Sequence, residues 1–254
     1  MRIHILGSGS GTEPMPDCHH TSWLLTAADG SLYWFDAGEG CARTAYLSGH
    51  ALLRTRSIFI THTHFDHIGG LPHLLFTISK LARRNGLPAD QPVDLYQPNA
   101  ALAGAVTELL KLTGSSVCRL IPHTVAPGLV MKDENLTVEA LRNRHLTGQL
   151  SCSYRIRCES STILYSGDVG HWSDLRPWLK AGCDLLLMES GHHDPAAVAA
   201  GLCAEGFAIG KLVYLHHGRR ILEHPAEVKA QLAEVCRIPH RIACDGEEIR
   251  LTPP

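Results

Sequence analysis

The chain has 254 residues, 44% of them hydrophobic and 19% charged, with a formal net charge of −2 when its 17 histidines are counted as neutral. That composition suits a soluble globular protein with a large core. It lacks both the apolar run of roughly 20 residues that a membrane span requires and the global basic field of a nucleic-acid-binding surface. The opening MRIHILGSGSG carries an apolar stretch too short for a secretory signal, so a cytoplasmic location with no membrane partner is expected. Nine cysteines, at positions 18, 41, 118, 152, 158, 183, 203, 236 and 244, are odd in number and include no CxxC pair, which argues against a disulfide framework and against a zinc knuckle.

In chain order, the strand-like RIHIL is followed by the glycine-rich GSGSGTEP, then SWLLTA, a turn at Asp29-Gly30, and SLYWFDAG. A helical CARTAYLSG, the strand SIFI, and an amphipathic LPHLLFTISKLARRNG with a glycine stop come next. Strand VDLYQP, helix ALAGAVTELLKLTG, and strands LTVEALRNRH, SYRIRC and TILYSGD follow. The last third alternates DLLLME, PAAVAAGLCAEG, KLVYLHHG and PAEVKAQLAEVC before RIACDGEEIRL. Strands mixed with helices in two similar halves predict an α/β fold, with two mixed sheets packed face to face and helices outside. One domain over residues 1–254 is expected.

Two segments imitate sites. GSGSGTEP follows a strand, but its GxGxG spacing leads to Pro14 and Pro16 rather than to a phosphate-binding helix; a tight glycine turn at the rim of a site fits it better. PDCHHTS groups Cys18, His19 and His20 without a second pair at metal-finger spacing, and reads as a polar loop.

The stretch THTHFDH at 61–67 is different, because three imidazoles and a carboxylate leave the end of an apolar strand together. His62 and His64 can pinch one cation while Asp66 and His67, on the next helical turn, reach a neighbouring position, so one loop serves two metals. Imidazole mixed with carboxylate suits zinc, with manganese or iron as alternatives. Six positions cannot fill two coordination spheres. Further candidates stand after other apolar runs: His145 after LTVEALRNR, Asp168 after TILYSG, where a carboxylate can bridge, and the pair His216-His217 after KLVYL.

With those residues in view, THTHFDHIGG, SGD and LHH resemble the metal motifs of the metallo-β-lactamase superfamily. WFDAGEG and RHLTGQLSCSYRI resemble more narrowly the ribonuclease Z branch and its phosphodiesterase relatives. The resemblance implies an αβ/βα four-layer sandwich with two Zn2+ ions between the sheet edges. His62, His64 and His145 would hold one ion; Asp66, His67 and the late histidine would hold the other; Asp168 would bridge. Counting apolar residues before the late histidine selects His217, with His216 as the alternative.

Departures narrow the activity. Ribonuclease Z enzymes generally carry a long tRNA-gripping arm, often between the positions matching His145 and Asp168, where only about 22 residues lie here. Their His-Glu pair is also altered, since Met188 precedes Glu189. The segment MESGHHDP resembles instead the phosphodiesterase of the carbon–phosphorus lyase pathway, which makes His192 the expected proton donor and His193 the second choice. The extra cysteine-rich zinc site of that enzyme is not reproduced.

The expected function is therefore a two-metal phosphoric diester hydrolase acting on small phosphodiesters or nucleotides. Asp66 would accept a hydrogen bond from the attacking water, and His192 would protonate the leaving oxygen. Arg219 and Arg220 are placed to meet a phosphate. A tRNA-processing endoribonuclease, or a hydrolase of lactones, thioesters, sulfate esters or β-lactams, is the alternative, and tRNA is the less favoured partner. An iron oxidoreductase on this scaffold typically has Glu in place of His64. The resemblance also implies a homodimer.

Overall fold

The structure is a computed structural model that describes residues 1–114 and 117–251; residues 115–116 and 252–254, part of the span expected as one domain, lie outside the described residues. Strands β1 (Arg2–Gly7), β2 (Ser22–Thr26) and β3 (Leu32–Phe35) pair antiparallel in succession. Parallel pairing then takes over, with helices crossing between strands: α1 (Cys41–Leu47), β4 (Thr55–Phe59), α2 (Phe65–Ile68), α3 (Leu71–Arg84), β5 (Pro92–Gln97), α4 (Leu102–Lys111) and β6 (Arg119–Thr124). The second half repeats this order. An antiparallel meander of β7 (Gly128–Lys132), β8 (Leu136–Arg142), β9 (Cys152–Cys158) and β10 (Ser161–Tyr165) precedes α5 (Arg176–Leu179), β11 (Leu185–Ser190), α6 (Pro195–Ala204), β12 (Leu212–His217), α7 (Arg219–Glu223), α8 (Pro225–Val235) and β13 (His240–Ile242). β10 to β13 run parallel. The short β14 (Glu248–Ile249) returns to the first sheet beside β1.

Among the described residues these strands form two seven-stranded sheets, ordered β14-β1-β2-β3-β4-β5-β6 and β13-β12-β11-β10-β9-β8-β7. Apolar side chains pack in three layers. Between the sheets lie Ile3, Ile5, Phe35, Phe59, Tyr154, Tyr165 and Leu187. The outer face of the first sheet meets Leu71, Leu74, Leu75 and Ile78 of α3, the 3–4 spacing of one helical stripe. The outer face of the second sheet meets Val198, Leu202, Val228 and Leu232 of α6 and α8. This is the expected four-layer sandwich. A row of stacked rings crosses the first sheet inside it: Trp23 to Phe35 at 4.2 Å, Phe35 to Phe59 at 5.0 Å, and Phe59 to Tyr96 at 4.7 Å. The row follows the strand spacing itself.

Two strands are absent from the expected list, β6 and β7, and both are sheet edges. β6 contains Pro122, a residue that edge positions tolerate and central strands do not. No helix among the described residues is long and apolar enough to cross a membrane.

One consequence of this topology positions the site. β8 and β10 both run antiparallel to β9, so they point the same way as β11 and β12. The chain therefore leaves β8, β10, β11 and β12 at one edge of the second sheet, where the loops after β3 and β4 of the first sheet also arrive. Carboxyl ends of strands are where ligands bind in open α/β sheets.

Candidate metal centre

The first sheet contributes a buried anchor and a compact loop. Asp36, directly after β3, has φ 57, a left-handed conformation that Asp tolerates better than most residues. Its fully buried carboxylate accepts hydrogen bonds from His67 Nδ1 (2.8 Å), the Tyr165 hydroxyl (2.7 Å), the Thr61 hydroxyl (2.8 Å) and the Thr61 backbone N–H (2.8 Å). The proton on His67 Nδ1 is thereby directed inward, and its Nε2 faces Asp168 Oδ1 at 3.3 Å and Asp66 Oδ2 at 3.6 Å. Burial lowers the affinity of His67 for a proton, but the Asp168 and Asp36 carboxylates outweigh it and hold the pKa well above the usual value. The location attracts positive charge.

The second sheet closes the cluster. Asp168 Oδ2 lies 3.6 Å from His62 Nε2, 3.6 Å from His145 Nε2 and 3.3 Å from His216 Nε2. His64 Nδ1 and His145 Nε2 are 3.3 Å apart. Two groups of ligand-type atoms result, each within 4.8 Å of one another, His62, His64, His145 and Asp168, and Asp66, His67 and His216; Asp168 and His216 form a third with His192. His145 and Asp168 are not at strand ends as expected, since β8 stops at Arg142 and β10 at Tyr165. Each stands three residues farther on, in a loop pinned by side chains. Asn143 Oδ1 accepts the His145 N–H and the Ser151 hydroxyl, and the Glu189 carboxylate accepts the Val169 N–H.

A divalent cation fits these residues. His62 Nε2, His67 Nε2 and Asp168 Oδ1 are buried and have no hydrogen-bond partner, a condition that folded proteins avoid unless something supplies the missing contact. Burial also drives the His62 pKa far down, which keeps its imidazole neutral and able to ligate. Nitrogen and carboxylate donors of this kind suit zinc, manganese or iron.

The late histidine corrects the sequence reading. His217, the expected ligand, is turned into the protein. Its Nε2 meets the Ala243 carbonyl at 2.8 Å and its Nδ1 the Ser190 hydroxyl at 3.0 Å, so both ring nitrogens are engaged. His216 faces the cluster instead. The cause is a slip in register: β11 and β12 pair Glu189 with Leu215 but Ser190 with His217, which leaves His216 as an extra residue at φ 55. A bulge of one residue inverts the facing of every later side chain in the strand. Gly191 makes room for the ring, because a Cβ there would stand 2.7 Å from His216 Cδ2.

At the other histidine pair, His192 faces the cluster and His193 does not. His192 Nδ1 lies 3.1 Å from both Glu189 oxygens, and Glu189 also accepts the backbone N–H groups of Gly191 and His192. The Glu189 hydrogen bond raises the His192 pKa. His193 Nε2 is held by the Val169 carbonyl at 2.9 Å. A cavity of about 230 Å³ opens here, lined by Ser10, Gly11, Thr12, His64, Asp66 and His192 among others. Gly11 brings the glycine turn against Asp66, since a Cβ would come within 3.0 Å of its carboxylate.

Arg219 and Arg220 do not meet the cavity as expected. Arg219 pairs with Glu13 and Glu223, and Arg220 with Glu227. His19 bonds Asp245 at 2.8 Å, and Cys18 and His19 belong to no metal-type group among the described residues. Sequence reasoning gave no role to Asp36, Glu189 or Thr21. The signal for Asp36 was present, an Asp-Ala-Gly directly after a buried strand; a carboxylate placed to orient a histidine leaves no spacing to read.

A family model described as "Anti-Pycsar protein Apyc1" matches residues 1–200, a span that holds every residue of the cluster except His216. A ribonuclease Z of Methanosarcina mazei is 31% identical over 157 residues, 60% of this chain and 48% of that protein. The chain spans about half the length of the curated relatives it matches. Among solved structures, human tRNase Z, short form, superimposes with a TM-score of 0.76 at 23% identity over 100% of both chains. The metallo-β-lactamase fold protein YhfI of Bacillus subtilis gives 0.77 at 18% identity over 98% of both. A diphosphatase of the PhnP family gives 0.69 at 19% identity, over 99% of this chain and 98% of that one. The fold is that of the metallo-β-lactamases.

Proposed function

The chain belongs to the family of the anti-Pycsar protein Apyc1, and from that premise together with the site we propose that it is a metal-dependent phosphodiesterase acting on small phosphodiesters or nucleotides. The observation that carries the reading is the clustering of unpartnered buried atoms, with His62 Nε2 and His67 Nε2 gathered on the Asp168 carboxylate, which lines a small cavity together with His64, Asp66 and His216. His62, His64 and His145 would hold one ion and Asp66, His67 and His216 the other, with Asp168 between them. Two such cations, when bound, lower the pKa of a shared water and neutralise charge on phosphoryl oxygens.

The chain's own residues do the rest. Asp66, with its side chain only 12% exposed, accepts a hydrogen bond from the attacking water and orients it. His192, held at one nitrogen by Glu189, presents its other nitrogen to the cavity and delivers a proton to the leaving oxygen. The Glu189 hydrogen bond raises its pKa and so favours the protonated ring. A cavity of about 230 Å³ accommodates a phosphodiester with a small substituent. The free cysteines suit a reducing compartment, and we place the protein in the cytoplasm.

A second reading, ribonuclease Z activity on precursor tRNA, is equally supported by the curated relatives. Against it stands the run from His145 to Asp168, which is taken up by a loop and by β9 and β10 and has no room for an arm. The test is a hydrolysis screen of metal-analysed protein against bis(p-nitrophenyl) phosphate, cyclic nucleotides, precursor tRNA, a lactone and a chromogenic β-lactam. Turnover of small diesters with chelator-sensitive kinetics is expected. Efficient tRNA cleavage with none of small diesters would transfer the assignment to the second reading.

A further inference from the structure

Thr21 lies directly before β2, is fully buried, and touches both the glycine turn and His216. Its hydroxyl oxygen is 2.7 Å from the Gly9 carbonyl and 2.7 Å from His216 Nδ1. A hydroxyl has one proton, and a carbonyl can only accept. The proton is therefore committed to Gly9, and the remaining lone pairs can only accept, so Nδ1 of His216 must carry the hydrogen. In a neutral imidazole that leaves Nε2 as a bare lone pair, and Nε2 is the atom that faces Asp168 Oδ2 at 3.3 Å and Asp66 Oδ2 at 4.0 Å.

The opposite tautomer would be harmful here. An Nε2–H at that distance would bond to Asp168 and close the position to a cation, and the negative carboxylates favour it. Some group on the far side of the ring has to oppose them. We infer that Thr21 is a positioning residue that fixes the tautomer of His216 by relaying a hydrogen bond from the ring to the Gly9 carbonyl, and so holds the second cation position open. This rests on the reading of the cluster as a metal site.

The acceptor end of the relay is itself rigid. Gly9 N–H donates to the His19 carbonyl at 2.8 Å, and the residues on either side tie the turn to His217: the His217 N–H reaches the Ser8 carbonyl at 2.7 Å, and the Ser10 N–H reaches the His217 carbonyl at 3.1 Å. The His216 backbone, at φ 55, is in the left-handed region that disfavours a non-glycine residue. Backbone constraint on both sides and the hydroxyl in the middle define one ring orientation.

The experiment compares Thr21→Val, which keeps the shape and removes the relay, with Thr21→Ser, which keeps the relay and removes a methyl group. Zinc affinity of the full chain is measured by competition with a chromogenic chelator, and the nitrogen-bound proton of His216 is followed by two-bond 1H–15N correlation spectra. Thr21→Val is expected to weaken one of the two zinc equivalents by about 10–100-fold, the size of effect typical of a residue that orients a ligand, and to remove the Nδ1–H signature. Thr21→Ser is expected to stay within a few-fold of wild type. Wild-type affinity in Thr21→Val overturns the inference while leaving the metal reading intact, and equal losses in both variants assign the effect to packing and overturn it as well. A wild-type protein that takes up no zinc, manganese or iron overturns the metal reading and this inference together.

Discussion

The loop after β4 and the end of β12 supply neighbouring parts of one cluster, yet they differ in how their geometry is determined. In the first region, residues 62–67, four ligand-type side chains are packed so densely that every one of them faces the cluster. The short helix α2 and the Asp36 network fix the turn from within the same sheet. In the second region two histidines are adjacent, and a strand sends neighbours to opposite faces. One must face the cavity and the other the interior, and which does which depends on a bulge set by β11 and by residues 8–10, not by KLVYLHHG itself. The pair His192-His193 poses the same problem and is resolved by Glu189 and Val169. A dense motif carries its own geometry; a doublet borrows it from its neighbours.

The largest effects should separate the members of the late doublet. Asp168→Ala removes the carboxylate that touches both groups, and we expect it to lower metal content and activity together, the activity by about 10³-fold or more, the scale of losing a preorganised charged group. His216→Ala should release one of two metals and cost about 10²–10³-fold. His217→Ala should retain both metals. Elemental analysis with parallel kinetics decides it: metal lost from the His217 variant and kept in the His216 variant would reverse the assignment of the doublet.

The earlier doublet is tested through its leaving-group dependence. His192→Ala should keep the metals and slow alkyl diesters by about 10²–10⁴-fold, while p-nitrophenyl diesters, whose leaving group needs no proton, should change little. The alkaline limb of the pH–rate profile should disappear in this variant, since the raised pKa of His192 marks where its proton is lost. His193→Ala should change neither ratio nor profile. Equal slowing of both diester classes by His192→Ala would remove it as the acid.

A stability measurement addresses the role that His217 has instead of ligation. Its ring is buried between the Ala243 carbonyl and Ser190, so alanine leaves a buried acceptor unpaired at a cost of about 1–3 kcal/mol. For a chain of this size that is a melting temperature lower by about 2–4 °C per kcal/mol. An unchanged melting temperature would show that the buried imidazole contributes nothing.

Much of this was legible in the sequence because period and spacing report local geometry. The strand-like runs RIHIL and SWLLTA, the helical stripe Leu71, Leu74, Leu75, Ile78, and the four-residue density of 62–67 each survive in the structure. β6 and β7 were not legible. As edge strands they are half-exposed, and β6 holds Pro122, so the usual alternation is blurred. Nor was the fate of Arg219 and Arg220 legible, because it depends on Glu13 and Glu227, one of them more than 200 positions away. Tertiary partners decided what local pattern left open.

The smallest effect comes from histidines that share one feature with the cluster and lack the rest. His4 on β1 and His50 after α1 meet edge to face, with ring centroids 4.7 Å apart, and each has a buried Nε2 with no partner. No carboxylate completes a metal-type group with them among the described residues, so their unpaired nitrogens bear on stability rather than ligation. Burial, the leading cause, lowers the pKa of both, that of His50 to about 4, with Glu248 opposing and Arg2 adding to the shift. Both rings are neutral in the folded protein at pH 7. As pH falls from about 6.5 toward 4, the unfolded chain binds protons at these positions and the folded chain does not, so stability is lost across that window and is complete above it. With partial solvent screening the loss at pH 5 from His50 should be about 1 kcal/mol, or about 2–4 °C in melting temperature. His50→Leu should reduce the difference between melting temperatures at pH 7.5 and pH 5 by that amount, measured in chelator-treated protein so that metal release does not contribute. An identical pH dependence in wild type and variant would show that this pair does not carry the acid sensitivity.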